Sequence, residues 1–154
     1  MAKLRVLVVG RSSPGWADAA VKDYARRLDR LGGIEERAVK PERFTGDVEA
    51  VRAAEAARLL AAVGPRDRLV ALDERGEDLD THAFAALVTD GVAQGTGLVF
   101  ALGGPYGHGE AVRSRADRVV RLSSLVLNHE VARVLLFEQL YRAATLREGL
   151  PYHH

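Results

Sequence analysis

The 154-residue chain has no cysteine, which removes disulfides, thiolate metal sites and a cysteine nucleophile from consideration. It also lacks any apolar run near the roughly 18 residues that a membrane-spanning helix needs. With 47% hydrophobic residues the composition is that of a soluble globular protein with a real core, and no membrane partner is expected. Charge of one sign is scarce: 22 Lys and Arg stand against 21 Asp and Glu, for a net charge of +1. Bulk charge of that size cannot drive RNA binding, so any such contact must come from local patches. Arg26, Arg27 and Arg30 form one candidate, and Arg113, Arg115, Arg118 and Arg121 another. For either cluster a solvated helix face is the blander explanation. Internal repeats and low-complexity segments are absent. The first apolar run, Lys3 to Gly10, is broken by Arg5 and is too short for a signal peptide, so a cytoplasmic protein is expected.

What is present is alternation. Short β-rich apolar runs at 4–10, 34–40, 67–73, 97–102 and 118–122 read as strands. Helical patterns fill about 16–31, 47–63, 80–92, 108–116 and 129–147, with Asp80 or Thr81 able to cap the third and Asn128 the last. Strand–helix alternation predicts an α/β fold with a parallel-rich sheet covered by helices on both faces, here as one domain over 1–154. The segment Arg43 to Asp47, after Pro41, is the loop expected to be most mobile.

Two stretches in the last third carry the functional signal. Leu98 to Leu102 is a buried parallel strand that stops at Gly103-Gly104-Pro105. The glycines are expected to supply positive φ and to let a ligand approach bare backbone, while the proline stiffens the turn and removes a donor. No Gly-Lys-Ser/Thr follows, and the spacing is not that of a dinucleotide fingerprint, so phosphate-cradling loops are excluded. A merely structural turn remains open for this motif by itself. The second stretch is the loop Leu122 to Asn128 with Leu125, Val126 and Leu127 in a row, followed by a long helix from His129. Those three side chains must pack under the protein or around a ligand.

At these residues the chain resembles the RlmH-type branch of the SPOUT methyltransferases. The resemblance rests on Leu102-Gly-Gly-Pro-x-Gly107, the Leu-Ser loop ending in His129, Val131-x-Arg-Val-x-x-x-Glu-Gln-Leu-Tyr-Arg-Ala143 and the terminal Pro151-Tyr-His. It extends to the strand ending in Val9-Gly10, Trp16, Tyr24-x-x-Arg27 and Val70-x-Leu-Asp73-x-x-Gly76. It implies methyl transfer from S-adenosylmethionine to N3 of a pseudouridine in 23S ribosomal RNA on the assembled ribosome. It also implies a homodimer and an α/β knot, that is, a C-terminal deep trefoil knot, which no periodicity reveals.

The resemblance places the cofactor among Leu72, Gly103, Gly104, Ser124, Leu125, Val126, Leu127, Asn128 and His129. Apolar side chains there suit an adenine face, and free backbone groups suit its edge and the ribose. The sulfonium methyl is already activated, so the protein must align the acceptor and help N3 lose a proton, with no metal required. The candidates for that help are Arg142, Tyr152, His153 and His129, with Arg133 a further cation for the developing anion. Each has a bland counterpart: His129 as a first-turn residue bonded to backbone, Arg142 as a surface ion pair with Glu138 as its partner, and Tyr152-His153 as a frayed end. His153 and His154 lack a third ligand for a metal.

Two rivals differ in kind. A receiver-like domain would use Asp73, but Gly10-Arg-Ser-Ser13 supplies no acidic pair for Mg²⁺. A non-catalytic ribosome- or RNA-binding α/β module would keep the fold and lose the cofactor.

Overall fold

The structure, a computed structural model, describes residues 4–10 and 15–154. The Arg11-Ser12-Ser13 stretch read against a receiver-like acidic pair lies outside the described residues. Five strands alternate with five helices: β1 (Leu4–Val9), α1 (Trp16–Leu28), β2 (Glu35–Val39), α2 (Val48–Ala61), β3 (Arg68–Asp78), α3 (Thr81–Ala93), β4 (Leu98–Leu102), α4 (Glu110–Arg115), β5 (Arg118–Arg121) and α5 (His129–Glu148). The strands form one sheet in the order β2-β1-β4-β3-β5, and every pair is parallel.

The period-2 alternation of the strands decides which helix covers which face. Leu4, Val6, Val8, Val70, Leu72, Leu98, Phe100, Leu102 and Val120 point to one side and form a core with α1, α3 and α5. Leu7, Val9, Leu69, Ala71, Val99 and Ala101 point to the other and meet Ala56 and Leu59 of α2 and Val112 of α4. The first face carries the larger side chains, with Phe84 of α3 against Phe100 at 5.6 Å between centroids. That face accommodates the 20-residue α5, which packs against both α1 and α3.

The helix starts follow the sequence. Asp80 caps α3 by accepting from the Ala83 N–H at 2.8 Å, and Asn128 caps α5 by accepting from the Glu130 N–H at 2.8 Å. Two boundaries move. The pattern at 16–31 resolves into α1 and a single 3-10 turn, Asp29–Leu31, before Gly32 at positive φ. The third strand does not end at Asp73. Leu72 and Glu77 both pair with Val120, so residues 73–76 are an excursion from a strand that returns to β5 and runs on to Asp78. Gly76 makes the return possible, because a Cβ there would lie 2.6 Å from the Val120 nitrogen. Local pattern could not show this, since the continuation depends on pairing with a strand that comes later in the chain.

Candidate functional site

The C-terminal ends of the neighbouring strands β4, β3 and β5 open onto a cavity of about 570 Å³, within the range of small-molecule sites. Three segments wall it. Leu72 and the excursion Asp73-Glu74-Arg75 form one side, the turn Leu102 to His108 a second, and the loop Arg121 to Leu127 with His129 a third, while Val48 and Arg52 of α2 close the rim. Such a crevice at the carboxyl ends of parallel strands is where α/β sheets bind ligands.

The glycine turn works differently from the expectation. Neither Gly103 nor Gly104 has positive φ; Gly107 does, at 82°. Their role is steric. A Cβ on Gly103 would meet the Gly107 and His108 backbone at 3.0 and 3.1 Å, and one on Gly104 would meet Glu55 Oε1 at 2.9 Å. The turn closes with the Gly107 N–H donating to the Gly104 carbonyl at 2.9 Å across Pro105-Tyr106. His108, only 3% exposed, ties the turn to its strand through a 2.9 Å bond between Nε2 and the Ala101 carbonyl. Burial pushes the His108 pKa down, with Arg75 and Arg113 adding to the fall against the opposing effects of the Ala101 bond and Asp73.

On the opposite wall Asp73 accepts from the Arg75 guanidinium at two points, both 3.0 Å. Burial alone would raise the Asp73 pKa, but the bonds from Arg75 outweigh it and hold the carboxyl below its usual range. The apolar loop is open: Leu125 is 74% exposed and Val126 80%. Ser124 and Asn128 belong to this loop without lining the cavity. Asn128 is committed to the α5 cap. The other cofactor candidates, Leu72, Gly103, Gly104, Leu125, Val126, Leu127 and His129, come together around the cavity. Gly103 and Gly104 permit close approach to bare backbone, and Leu72, Leu125 and Leu127 offer an adenine-sized apolar wall, so these residues fit S-adenosylmethionine.

The remaining candidates gather elsewhere. Glu138 on α5 accepts from Arg142 Nη2 at 2.8 Å and from the Tyr152 hydroxyl at 2.7 Å, and Arg142 Nη1 lies 2.8 Å from His153 Nδ1. Tyr152 packs edge-on to Tyr141 at 4.7 Å and beneath the Arg142 guanidinium. The Tyr152 pKa is driven up by burial and by its bond to Glu138, so the phenol is a donor and not a base at neutral pH. The tail is thus a folded-back network. Its distance from the cavity is set by α5: thirteen residues separate His129 from Arg142, about 20 Å along a helix. None of Arg142, Tyr152 and His153 lines the cavity.

Arg133 is removed from the chemistry by its own partners. It is 2% exposed and holds Glu36 at 2.6 and 2.8 Å and Asp18 at 2.7 Å, clamping α5 to β2 and α1. Most arginines of the two clusters are ion-paired where they stand. Asp23 pairs with Arg26 and Arg27, Asp73 with Arg113, Asp117 with Arg115, Glu77 with Arg118 and Asp78 with Arg121. Sequence reading missed His108, Arg75, Arg52 and Tyr106 as cavity residues. Only the position of His108 and Tyr106 beside the glycines could have pointed to them.

A family model described as "Predicted SPOUT methyltransferase" matches residues 2–153. The chain is 43% identical over 153 residues to ribosomal RNA large subunit methyltransferase H of Laribacter hongkongensis, covering 98% of both chains. It is 45% identical over 153 residues to the protein of the same name from Bordetella petrii, again covering 98% of both. Among solved structures, a probable methyltransferase from Bordetella pertussis Tohama I is similar in fold, with a TM-score of 0.61 at 21% identity over 93% of this chain and 95% of that one. Among the described residues no helix is long and apolar enough to cross a membrane.

Proposed function

The chain belongs to the SPOUT methyltransferase family, and from that premise we propose that its strand-end cavity takes S-adenosylmethionine and methylates N3 of a pseudouridine in 23S ribosomal RNA on the assembled ribosome. The observation that carries the reading is the convergence of Leu72, the Gly103-Gly104 turn and the Leu125–Leu127 loop on one cavity of about 570 Å³. Residues 1–154 act as one domain, cytoplasmic like its substrate.

When bound, S-adenosylmethionine supplies a methyl group already activated on sulfur; that bond breaks as the N3–methyl bond forms and the N3 proton leaves. The chain supplies placement and charge. The glycine turn and the apolar loop hold the donor, and cations at the rim, Arg52, Arg75 and Arg121, meet negative charge that develops on the uracil carbonyls. We assign the proton acceptor to His129, which lines the cavity from the first turn of α5.

Arg142, Tyr152 and His153 cannot reach this cavity within one chain. We therefore assign them to the cavity of a second copy in a homodimer, with exposed Leu125 and Val126 available to be covered at that contact. The C-terminal trefoil knot belongs to the same proposal. Incubation of labelled S-adenosylmethionine with ribosomes whose pseudouridines are unmethylated, followed by mass spectrometry of the nucleosides, tests the reading. N3-methylpseudouridine is expected. Ribosome binding without transfer would instead favour a non-catalytic module, and equal methylation of naked rRNA would remove the ribosome from the proposal.

A further inference from the structure

Phe44 and Tyr106 are stacked in the open. Their ring centroids are 5.5 Å apart with planes 24° from parallel, yet Phe44 is 50% and Tyr106 39% exposed. They come from different segments, Phe44 from the loop between β2 and α2 and Tyr106 from the tip of the glycine turn. Tyr106 lines the cavity, so the stack begins at its mouth and runs outward. Helix α2 holds Tyr106 directly and the residues that lead into the Phe44 loop. Arg52 Nε donates to the Tyr106 carbonyl at 2.7 Å, Arg58 donates to the Lys40 carbonyl at 3.0 Å, and Glu55 accepts from the Glu42 N–H at 3.0 Å.

Two aromatic rings ordered in water, with no core to bury them, spend side-chain entropy without the usual hydrophobic return. We propose that this pair is a platform on which an unpaired nucleobase of the substrate RNA stacks, next to the base that enters the cavity. The inference rests on the reading that RNA is presented at this cavity. Unpaired bases are bound by stacking on aromatic side chains, often without regard to base identity. A base laid on the outer ring extends an existing stack that leads to the cavity mouth. Two cations belong to the same surroundings, Arg43 next to Phe44 in the chain and Arg52 bonded to the Tyr106 carbonyl. Arg52, already fixed against the Tyr106 carbonyl and paired with Glu49 at 2.6 Å, stands beside the platform where a backbone phosphate would pass.

Phe44 is the discriminating position, because it does not line the cavity. The experiment compares Phe44→Ala and Phe44→Tyr with the unaltered protein in equilibrium binding to unmethylated ribosomes, in methyl transfer, and in calorimetric titration with S-adenosylmethionine. Loss of one stacked base predicts a roughly 5- to 150-fold weaker ribosome affinity for Phe44→Ala, with cofactor affinity within about twofold and Phe44→Tyr close to the original. Unchanged ribosome affinity for Phe44→Ala overturns the proposal. So does a parallel loss of cofactor affinity, which would make the stack only a prop for the glycine turn. Absence of methyl transfer by the unaltered protein would defeat the catalytic reading alone, since the binding measurement still decides the platform.

Discussion

Around the glycine turn three buried side-chain polar atoms have no hydrogen-bond partner, Glu55 Oε1, His108 Nδ1 and Arg113 Nε, and among the described residues there are no others. Around Glu138, 14 residues before Tyr152, the opposite holds: Arg142, Tyr152, Gln139 and His153 are joined in one bonded set. Arg113 Nε still faces Asp73 Oδ2 at 3.8 Å, and a buried polar atom of this kind is a place where water or a ligand can bond. The tail holds its arginine and tyrosine pre-organised. The cavity side therefore keeps side-chain hydrogen-bonding capacity unused, and the tail side spends its own within one bonded set.

The largest expected effect breaks the tail. Arg142→Ala removes the cation that the second copy's cavity would receive and is expected to lower methyl transfer roughly 10²- to 10³-fold, the usual cost of removing one stabiliser of developing charge. Cofactor affinity of the isolated variant should stay near the original, because Arg142 does not line the cavity. Single-turnover methylation alongside calorimetry checks both. A comparable loss of cofactor binding would mean that the two regions are not separate. The converse change strikes the turn. Gly103→Ala forces a Cβ to 3.0 Å from backbone, and overpacking of about 1–3 kcal/mol corresponds to a roughly 5- to 150-fold weaker cofactor Kd. Gly104→Ala should cost less, since the atom it meets is the far end of a glutamate side chain.

How far the sequence revealed this contrast depends on the range of the interactions. Strands β1 and β4 were legible as short continuous apolar runs and β5 by its alternation, all of them local signals, and both predicted caps, Asp80 and Asn128, accept the bonds that their residue types favour. The cavity loops were legible because Gly103-Gly104 and the Leu125–Leu127 run interrupt periodic elements. The Asp73–Gly76 excursion was not, since it exists only by virtue of β5. Nor was the stack of Phe44 on Tyr106, which joins segments far apart in the chain. Most instructive is the tail: read along the chain, His129 and Arg142 belong to one signature, but the same helix that links them holds them about 20 Å apart.

The smallest effect concerns pH and sharpens the cavity side. Burial depresses the His108 pKa from its ordinary 6.5 in the folded protein, so the folded state holds this ring neutral while the unfolded chain protonates it. Stability from His108 is fully present above pH 6.5 and falls as the pH drops from there toward the folded pKa, by at most about 1.4 kcal/mol per pH unit. Asp73 and Glu138 have depressed pKa values too, Glu138 because its bonds from Tyr152 and Arg142 outweigh burial. Their contributions are lost only in the carboxylate range, as the pH falls below about 4.5. The two regions therefore separate on the pH axis. His108→Leu should flatten the fall in thermal midpoint between pH 7 and about 5 while leaving the acid limb below it intact, and Tyr152→Phe should move the acid limb to higher pH without touching the His108 step. Equal slopes for His108→Leu and the original between pH 7 and 5 would mean that another group titrates there and that the buried ring beneath the turn is not the one that feels the proton.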